Sequence, residues 1–205
     1  MVSRMPQQET TVRQATDEEL IDAFQRGDLR AFNILVGRYK DPLVNFAFRF
    51  LGDYDAADEV AQETFIRVYR KKHAYKPVAR FSTWIYTIAT NLAKSELRRR
   101  KSHALFSLSR RRQEGDESDD RGYEIPDDRN PADSQAARSL QAEIIQEALD
   151  SIPAKYREVA VLRYVQELSY EEICEITRTN MGTVKSRLNR ARLRLQELLK
   201  DVADE

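Results

Sequence analysis

The sequence predicts an all-α chain of two small helical domains joined by a flexible acidic linker. Apolar residues recur at helical spacing on both sides of residues 102–135. Those residues themselves hold few large apolar side chains, and Gly115, Gly122, Pro126 and Pro131 fall among them. With only 6 Gly and 6 Pro in 205 residues, the rest of the chain is too poor in turn formers for a loop-rich fold.

Taken in order, Thr16 and Glu19 have capping-box spacing and open a short helix through Phe24. Gly27-Asp28 interrupts it. A second helix runs from Leu29 toward Lys40 with Ala31, Phe32, Leu35 and Val36 on one face, and Asp41-Pro42 restarts the pattern, because proline suits a first helical position. Leu43, Phe46, Ala47 and Phe50 then repeat until Gly52. Asp55 to Lys72 carries Ala57, Val60, Ala61, Phe65 and Val68 at helical spacing. Beyond Pro77, in a connection, Ser82 or Thr83 opens a helix to about Lys101. Residues 102–135 cannot bury enough apolar area to offset the entropy of ordering them. Periodicity resumes near Ala136 with Leu140, Ile144, Ala148 and Leu149. Pro153 starts a helix bearing Tyr156, Val159, Ala160 and Tyr164. Ser169 and Glu172 form a second capping box, opening a short helix through Ile176. Thr179 or Asn180 caps the last helix, with its stripe of Met181, Val184, Leu188, Ala191, Leu195 and Leu198.

Several function classes are excluded by composition. No run approaches the roughly 18–20 apolar residues of a membrane span, and Met1 to Glu19 is polar, without an apolar signal core. One cysteine, Cys174, rules out an internal disulfide or a paired-cysteine zinc site, and its short apolar helix suits packing better than nucleophilic chemistry. The histidines, His73 and His103, stand far apart. There is no Gly-rich phosphate loop, His-Glu-x-x-His pattern or nucleophile elbow. The expectation is a cytoplasmic, cofactor-free, metal-free protein that is not an enzyme.

Formal net charge is zero, with 34 bases and 34 acids, but the charges are segregated. Asn91 to Arg112 holds eight bases and one acid, Glu114 to Asp133 nine acids and two bases, and Arg178 to Arg194 six bases and no acid. Two basic stretches parted by an acidic one suit two contacts with a polyanion.

Three constellations give those contacts content. Tyr170 to Ile176, a brief turn and a long basic helix have the layout of a helix-turn-helix. With Val184, Leu188 and Ala191 packed inward, Thr183, Lys185, Ser186, Arg187, Asn189, Arg190 and Arg192 face outward, where small side chains admit phosphate to the helix terminus and long basic ones reach phosphates or guanine edges. In the second, Phe81-Ser-Thr-Trp84-Ile-Tyr86 precedes Asn91, Lys94, Arg98, Arg99, Arg100 and Lys101. Aromatic faces stack on unpaired bases while bases of the protein track the strand, so this helix suits separated strands, with Trp84 at least partly core. The third, Asp58 to Glu63, has acids and Gln62 beside an apolar stripe and alone reads as a surface helix.

Together, Asp-Glu-Val-Ala-Gln-Glu-Thr-Phe (58–65), Phe-Ser-Thr-Trp-Ile-Tyr-Thr-Ile-Ala-Thr-Asn (81–91), Leu-Ser-Tyr-Glu-Glu-Ile (168–173) and Gly-Thr-Val-Lys-Ser-Arg-Leu-Asn-Arg-Ala-Arg (182–192) resemble the bacterial RNA polymerase sigma factors of the sigma-70 family, extracytoplasmic-function group. The resemblance spans nearly the whole chain except the first ~15 residues and the linker. It implies a sigma region 2 helical bundle over 16–101, a linker over 102–135 and a sigma region 4 helix-turn-helix over 136–200. It implies docking of Glu59, Gln62 and Glu63 on the β′ clamp helices of core RNA polymerase, and minus-ten recognition and melting by the 81–101 helix, with Trp84, Asn91, Lys94, Arg98 and Arg99. Thr183, Lys185, Ser186, Arg187, Asn189 and Arg190 would read the minus-thirty-five element of promoter DNA while the domain sits on the β flap. An anti-sigma factor would hold the free chain, and in holoenzyme the protein would be nucleoid-associated. The segment Ala74 to Arg80 varies widely in such proteins, and Asn180 stands where many have proline. An operator-binding regulator would explain the helix-turn-helix but leave the aromatic-basic helix without a role. A nuclease or recombinase needs clustered metal-binding carboxylates or a positioned nucleophile, and neither can be assembled from these residues.

Overall fold

The computed structural model describes the backbone of residues 15–114 and 133–200, and side-chain environments for 15–103 and 141–200. Among the described residues there are eight α-helices: α1 (Asp17–Gln25), α2 (Leu29–Leu51), α3 (Tyr54–Arg70), α4 (Phe81–Glu114), α5 (Asp133–Ser151), α6 (Ala154–Ala160), α7 (Tyr170–Thr177) and α8 (Met181–Leu198). A 3₁₀ turn, Lys72–Ala74, leads from α3 toward α4, and a π turn, Val161–Val165, follows α6.

Local chemistry sets most of the boundaries. The Thr16 hydroxyl accepts from the Glu19 N–H at 3.2 Å while the Glu19 carboxylate accepts from the Thr16 N–H at 2.8 Å, and Ser169 and Glu172 repeat the device at 3.2 and 2.8 Å. Asp28 and Asp53 accept from the N–H groups of Arg30 and Ala56, both at 2.9 Å, capping α2 and α3. Asn180 caps α8 by accepting from the Thr183 N–H at 2.9 Å.

Four sequence expectations are corrected. α2 runs unbroken through Pro42. An interior proline removes one ladder hydrogen bond and crowds the preceding turn, at about 3 kcal/mol. Here Leu35 before it and Leu43, Phe46, Ala47 and Phe50 after it are all buried on one core, and that packing offsets the cost. α4 begins at Phe81 because the Phe81 N–H finds an acceptor in the Glu18 carboxylate of α1 at 2.9 Å, a cap that local sequence cannot reveal. It also runs past Lys101 to Glu114, and α5 starts at Asp133, ahead of Ala136, so only residues 115–132 of the expected linker lie outside the described residues. The helix expected to carry Tyr164 gives way after Ala160 to the π turn, closed by the Gln166 N–H on the Val161 carbonyl at 3.1 Å. The wider turn rotates Tyr164 out to 54 % exposure.

The first bundle packs α1, α3 and α4 on α2, burying Leu20, Phe24, Leu35, Phe46, Phe50, Phe81 and Ile85 almost completely. In the second, α6 and α7 pack on α8 through Val159, Leu162, Ile173, Val184, Leu188 and Ala191. The α8 stripe fades beyond Ala191: Leu195 is half-buried and Leu198 exposed.

The two bundles also dock on each other, which the sequence pattern did not anticipate. α5, α6 and the π turn lie against α2, and α7 against α4. The Arg157 guanidinium is the inner bolt. It donates to the Phe50 carbonyl at 3.0 Å and the Asp150 carbonyl at 2.8 Å, and pairs with the Asp150 carboxylate at 2.5 Å. Phe50 lies in the last turn of α2, whose carbonyls have no partner within the helix, so a buried cation there meets an otherwise unsatisfied acceptor. Arg49 donates to the Ala142 carbonyl at 3.0 Å beside it.

At this junction Gly52 ends α2 in the left-handed region, φ 72°. A Cβ there would come within 2.7 Å of Asp150 Oδ2. Gly52→Ala is therefore expected to destabilise the chain by about 1–2 kcal/mol, the usual penalty for a side chain in that backbone region. Thermal unfolding followed by circular dichroism measures it, and an unchanged midpoint refutes it.

Candidate nucleic-acid and polymerase interface

The aromatic end of α4 is braced by the loop before it. The Tyr75 hydroxyl donates to the Ala79 carbonyl at 2.9 Å, closing the loop, and Val78 at its apex is 92 % exposed. The Trp84 ring centroid lies 5.5 Å from Tyr75 and 6.0 Å from Phe81, so one part of the indole is core and the rest reaches solvent. An open cleft beside it is lined by Asp17, Glu18, Pro77, Val78, Ala79, Arg80 and Ser82.

Further along α4, Asn91 is exposed, about 10 Å from Trp84 at 1.5 Å per residue. Arg98 is exposed and donates to the Ser95 hydroxyl at 3.0 Å. Arg99 is exposed with its fork on Glu96, at 2.7 and 2.8 Å, and Arg100 shares the same carboxylate at 2.9 Å. The Arg99 hydrogen bond is the main cause holding the Glu96 carboxyl below its usual range. Arg99 itself stands in solvent, where such a pair is weakly held, so a phosphate can draw it away. Trp84, Asn91, Arg98 and Arg99 thus lie along one helix, while Lys94 is turned to a different partner, Glu158.

On α3, Glu59 and Gln62 are exposed, and Glu63 is half-buried in an ion pair with Arg67 at 2.8 Å. A groove between α3 and α4, lined by Glu59, Val60, Glu63, Leu92, Glu96 and Arg99, brings the acidic set of α3 beside the basic set of α4. On α8, Lys185, Ser186, Asn189 and Arg190 are exposed and Thr183 and Arg187 half-buried, so the outward face expected from the stripe is present.

Two residues of this surface escaped the sequence pattern. Tyr156 is buried at 6 %, yet its hydroxyl accepts from Arg190 at 3.1 Å while Arg194 and Lys155 lie 5.6 and 5.1 Å from the ring centroid. The Arg190 hydrogen bond lowers the phenol pKa. Tyr156 looked like one more apolar stripe residue, and nothing in its neighbours signalled otherwise. Glu158 carried a signal: it is the one acid inside the run Tyr156 to Leu162. It is buried at 3 %, with the Lys94 ammonium 2.6 Å away. Burial pushes its carboxyl pKa up, and Lys94 and Arg187 offset only part of that. Cys174 is half-buried against the core, and burial holds its thiol protonated, in keeping with a packing role.

Among the described residues no helix is long and apolar enough to cross a membrane, and no group of three or more His, Cys, Asp or Glu could hold a metal ion. Residues 35–103 match the family model of Sigma-70 region 2, and residues 142–195 that of Sigma-70, region 4. The chain is 36 % identical over 182 residues to the ECF RNA polymerase sigma factor SigW of Bacillus subtilis, covering 89 % of this chain and 96 % of SigW. It is 34 % identical over 183 residues to the ECF RNA polymerase sigma-E factor of Haemophilus influenzae, covering 87 % and 93 %. Among solved structures, the sigma factor RpoE in complex with the anti-sigma factor NepR from Bartonella quintana superposes with a TM-score of 0.61 at 27 % identity, over 82 % of this chain and 96 % of that one.

The raised Glu158 pKa fixes the sign of one pH effect. The folded chain binds a proton at Glu158 more tightly than the unfolded chain does. The stability Glu158 contributes is therefore greatest at low pH and falls as pH rises from the usual carboxylate range through the folded value. Glu158→Gln lacks this dependence. The expected result is a melting temperature that moves against the wild type, relative to Glu158→Gln, as pH rises toward neutrality. A difference that stays flat or moves the other way refutes the assignment.

Proposed function

The chain belongs to the sigma-70 family of RNA polymerase sigma factors, in its extracytoplasmic-function group, and on that premise we propose how its surfaces divide the work of promoter recognition. It is a transcription initiation factor that binds core RNA polymerase, directs it to specific promoters and helps melt the minus-ten element. It acts by binding, in the cytoplasm, on the nucleoid when in holoenzyme, and an anti-sigma factor controls it.

Region 2, residues 16–101, docks on the β′ clamp helices through Glu59, Gln62 and Glu63. Support comes from the exposure of Glu59 and Gln62 on the solvent side of α3, with half-buried Glu63 beside them, away from the stripe of Ala57, Val60 and Ala61. α4 recognises and melts the minus-ten element. The observation that carries this reading is the order along its surface: a half-buried indole at Trp84, an exposed amide at Asn91 and exposed guanidinium groups at Arg98 and Arg99. Aromatic faces receive unstacked bases, an amide reads a base edge by donating and accepting, and guanidinium groups hold phosphates. Lys94 joins this set once freed from Glu158.

Region 4, residues 136–200, binds the minus-thirty-five element through Thr183, Lys185, Ser186, Arg187, Asn189 and Arg190 while seated on the β flap. The helix-turn-helix geometry supports it: α7 is joined to α8 by a turn through Arg178 at φ 53°, and α8 presents its basic face outward. Residues 102–135 connect the two, and their acidic run passes toward the active-site cleft and RNA exit channel, where its charge mimics nucleic acid. Transcription in vitro with core polymerase and genomic DNA, with start sites mapped, tests the whole reading: no specific start sites would refute it.

Glu59→Lys is expected to weaken binding to core polymerase about tenfold, the size of one lost charge complementarity at an interface. Because Glu59 is exposed, the melting curve changes little. Titration of labelled chain with core polymerase measures it, and undiminished affinity places docking elsewhere.

Asn91→Ala is expected to reduce open-complex formation about tenfold on linear duplex promoter and much less on a promoter carrying a pre-opened minus-ten bubble. Base extrusion costs a few kcal/mol, and a contact made only after extrusion offsets part of that cost. Equal transcription by variant and wild-type holoenzyme on duplex DNA refutes the role. Equal losses on both templates point instead to a structural role.

A further inference from the structure

The outward face of α8 has one member whose side chain is tied from below. Arg190 is exposed, and its Nη1 donates to the Tyr156 hydroxyl of α6 at 3.1 Å. Tyr156 itself is 6 % exposed, so the accepting oxygen sits on a ring fixed by the core. Arg194, one turn further along α8, lies 5.6 Å from the centroid of that ring, and Lys155 of α6 lies 5.1 Å from it. Three cations thus surround one phenol, and none of them pairs with an acid among the described residues.

An uncharged acceptor does something that a carboxylate does not. Arg99 has its fork on Glu96, and that partner neutralises part of its charge. A phenol oxygen fixes a guanidinium in direction and leaves its charge whole. Guanidinium donors are arranged in a rigid fork. With Nη1 on Tyr156, the edge formed by Nη2 and Nε is left for a bidentate contact, the form in which arginine takes guanine O6 and N7. Arg194 and Lys155 already face the ring, and their like charge disfavours folding of Arg190 back over it. Arg190 stands nine residues beyond Met181, about 14 Å along α8 at 1.5 Å per residue. Recognition helices read base edges chiefly with their N-terminal residues, so the direction of a long side chain this far along decides whether it reaches one.

We propose that Tyr156 is a positioning residue for minus-thirty-five recognition: its hydroxyl holds the Arg190 fork toward the DNA, so that Arg190 reads the element instead of sampling the phosphates around it. The proposal rests on the preceding assignment of Arg190 to that element. It adds that discrimination between promoters depends on a hydroxyl of the core, behind the recognition helix. Ordering a long side chain on binding weakens a complex, and a tether present before binding removes part of that loss. The tether acts on orientation and not on charge, so the two are separable by experiment.

The test uses holoenzyme assembled from the full chain, a duplex promoter mapped by transcription in vitro, and the same duplex with its minus-thirty-five element scrambled. Tyr156→Phe removes the hydroxyl and keeps the ring, and circular dichroism confirms the fold. The expected result is about three- to tenfold weaker binding to the matched duplex, with binding to the scrambled duplex unchanged. The slope of log K against log salt also stays the same, because no phosphate contact is lost. In an Arg190→Ala background Tyr156→Phe has no further effect. If Tyr156→Phe does not fold, Tyr156→Leu in the same cycle carries the test, since the Arg190→Ala background subtracts what packing contributes. A loss of equal size on both duplexes, or one that persists in the Arg190→Ala background, shows a structural role and overturns the proposal. Unchanged binding by Tyr156→Phe, while Arg190→Ala still weakens the matched duplex, overturns it too. If Arg190→Ala itself has no effect on the matched duplex, the assignment of Arg190 fails and the proposal with it. If wild-type holoenzyme does not distinguish the two duplexes, the reading of region 4 fails first.

Discussion

Burial of one face of α2 is the constraint on which the remaining architecture depends. Its apolar residues, from Ala31 through Leu35, Leu43, Phe46 and Phe50, are excluded from water over more than five turns. α1, α3 and α4 cover that face in region 2, and α5, α6 and the π turn lean on its C-terminal half. A helix used from both sides tolerates Pro42 in its interior, because the side chains on each side of the proline are already fixed by neighbours. The same helix ends at Gly52 so abruptly that its last carbonyls become acceptors for Arg157. The spine of one domain thereby becomes the dock of the other.

The cations differ in how far each is paired. Arg98, Lys185 and Arg190 stand in solvent, while Arg99 and Arg100 share Glu96, and Arg157 is buried among carbonyls and Asp150. Exposed pairs contribute little and exchange partners easily. Buried ones are costly to break, because the surviving charge is left without water. Lys94 stands between these cases, with one foot in solvent and its ammonium on a buried carboxylate.

The outer face of α8 is held from behind. Tyr156 is a core residue by burial and a polar one by contact, its hydroxyl taken up by Arg190 and its ring faced by Arg194 and Lys155. Packing and electrostatics are here the work of one side chain, and substitutions at such a position alter both together.

Much of this was legible in the sequence. The two capping boxes marked helix starts by interactions spanning three residues, and Asn180 was one of two residues expected to cap the last helix, whereas the caps Asp28 and Asp53 emerged only in the structure. Helical spacing identified the buried faces of α2, α3 and α8, and the block order 58–65, 81–91, 168–173 and 182–192 identified the family. What the sequence left open depended on groups distant along the chain. The start of α4 awaited Glu18, the continuity of α2 awaited neighbours on both sides of Pro42, and the pairing of Lys94 with Glu158 awaited the docking of one bundle on the other. Short-range hydrogen bonds and periodicity are properties of a segment and can be read from it. Burial and the partner of a charge are properties of what surrounds it, and only the tertiary structure decides those.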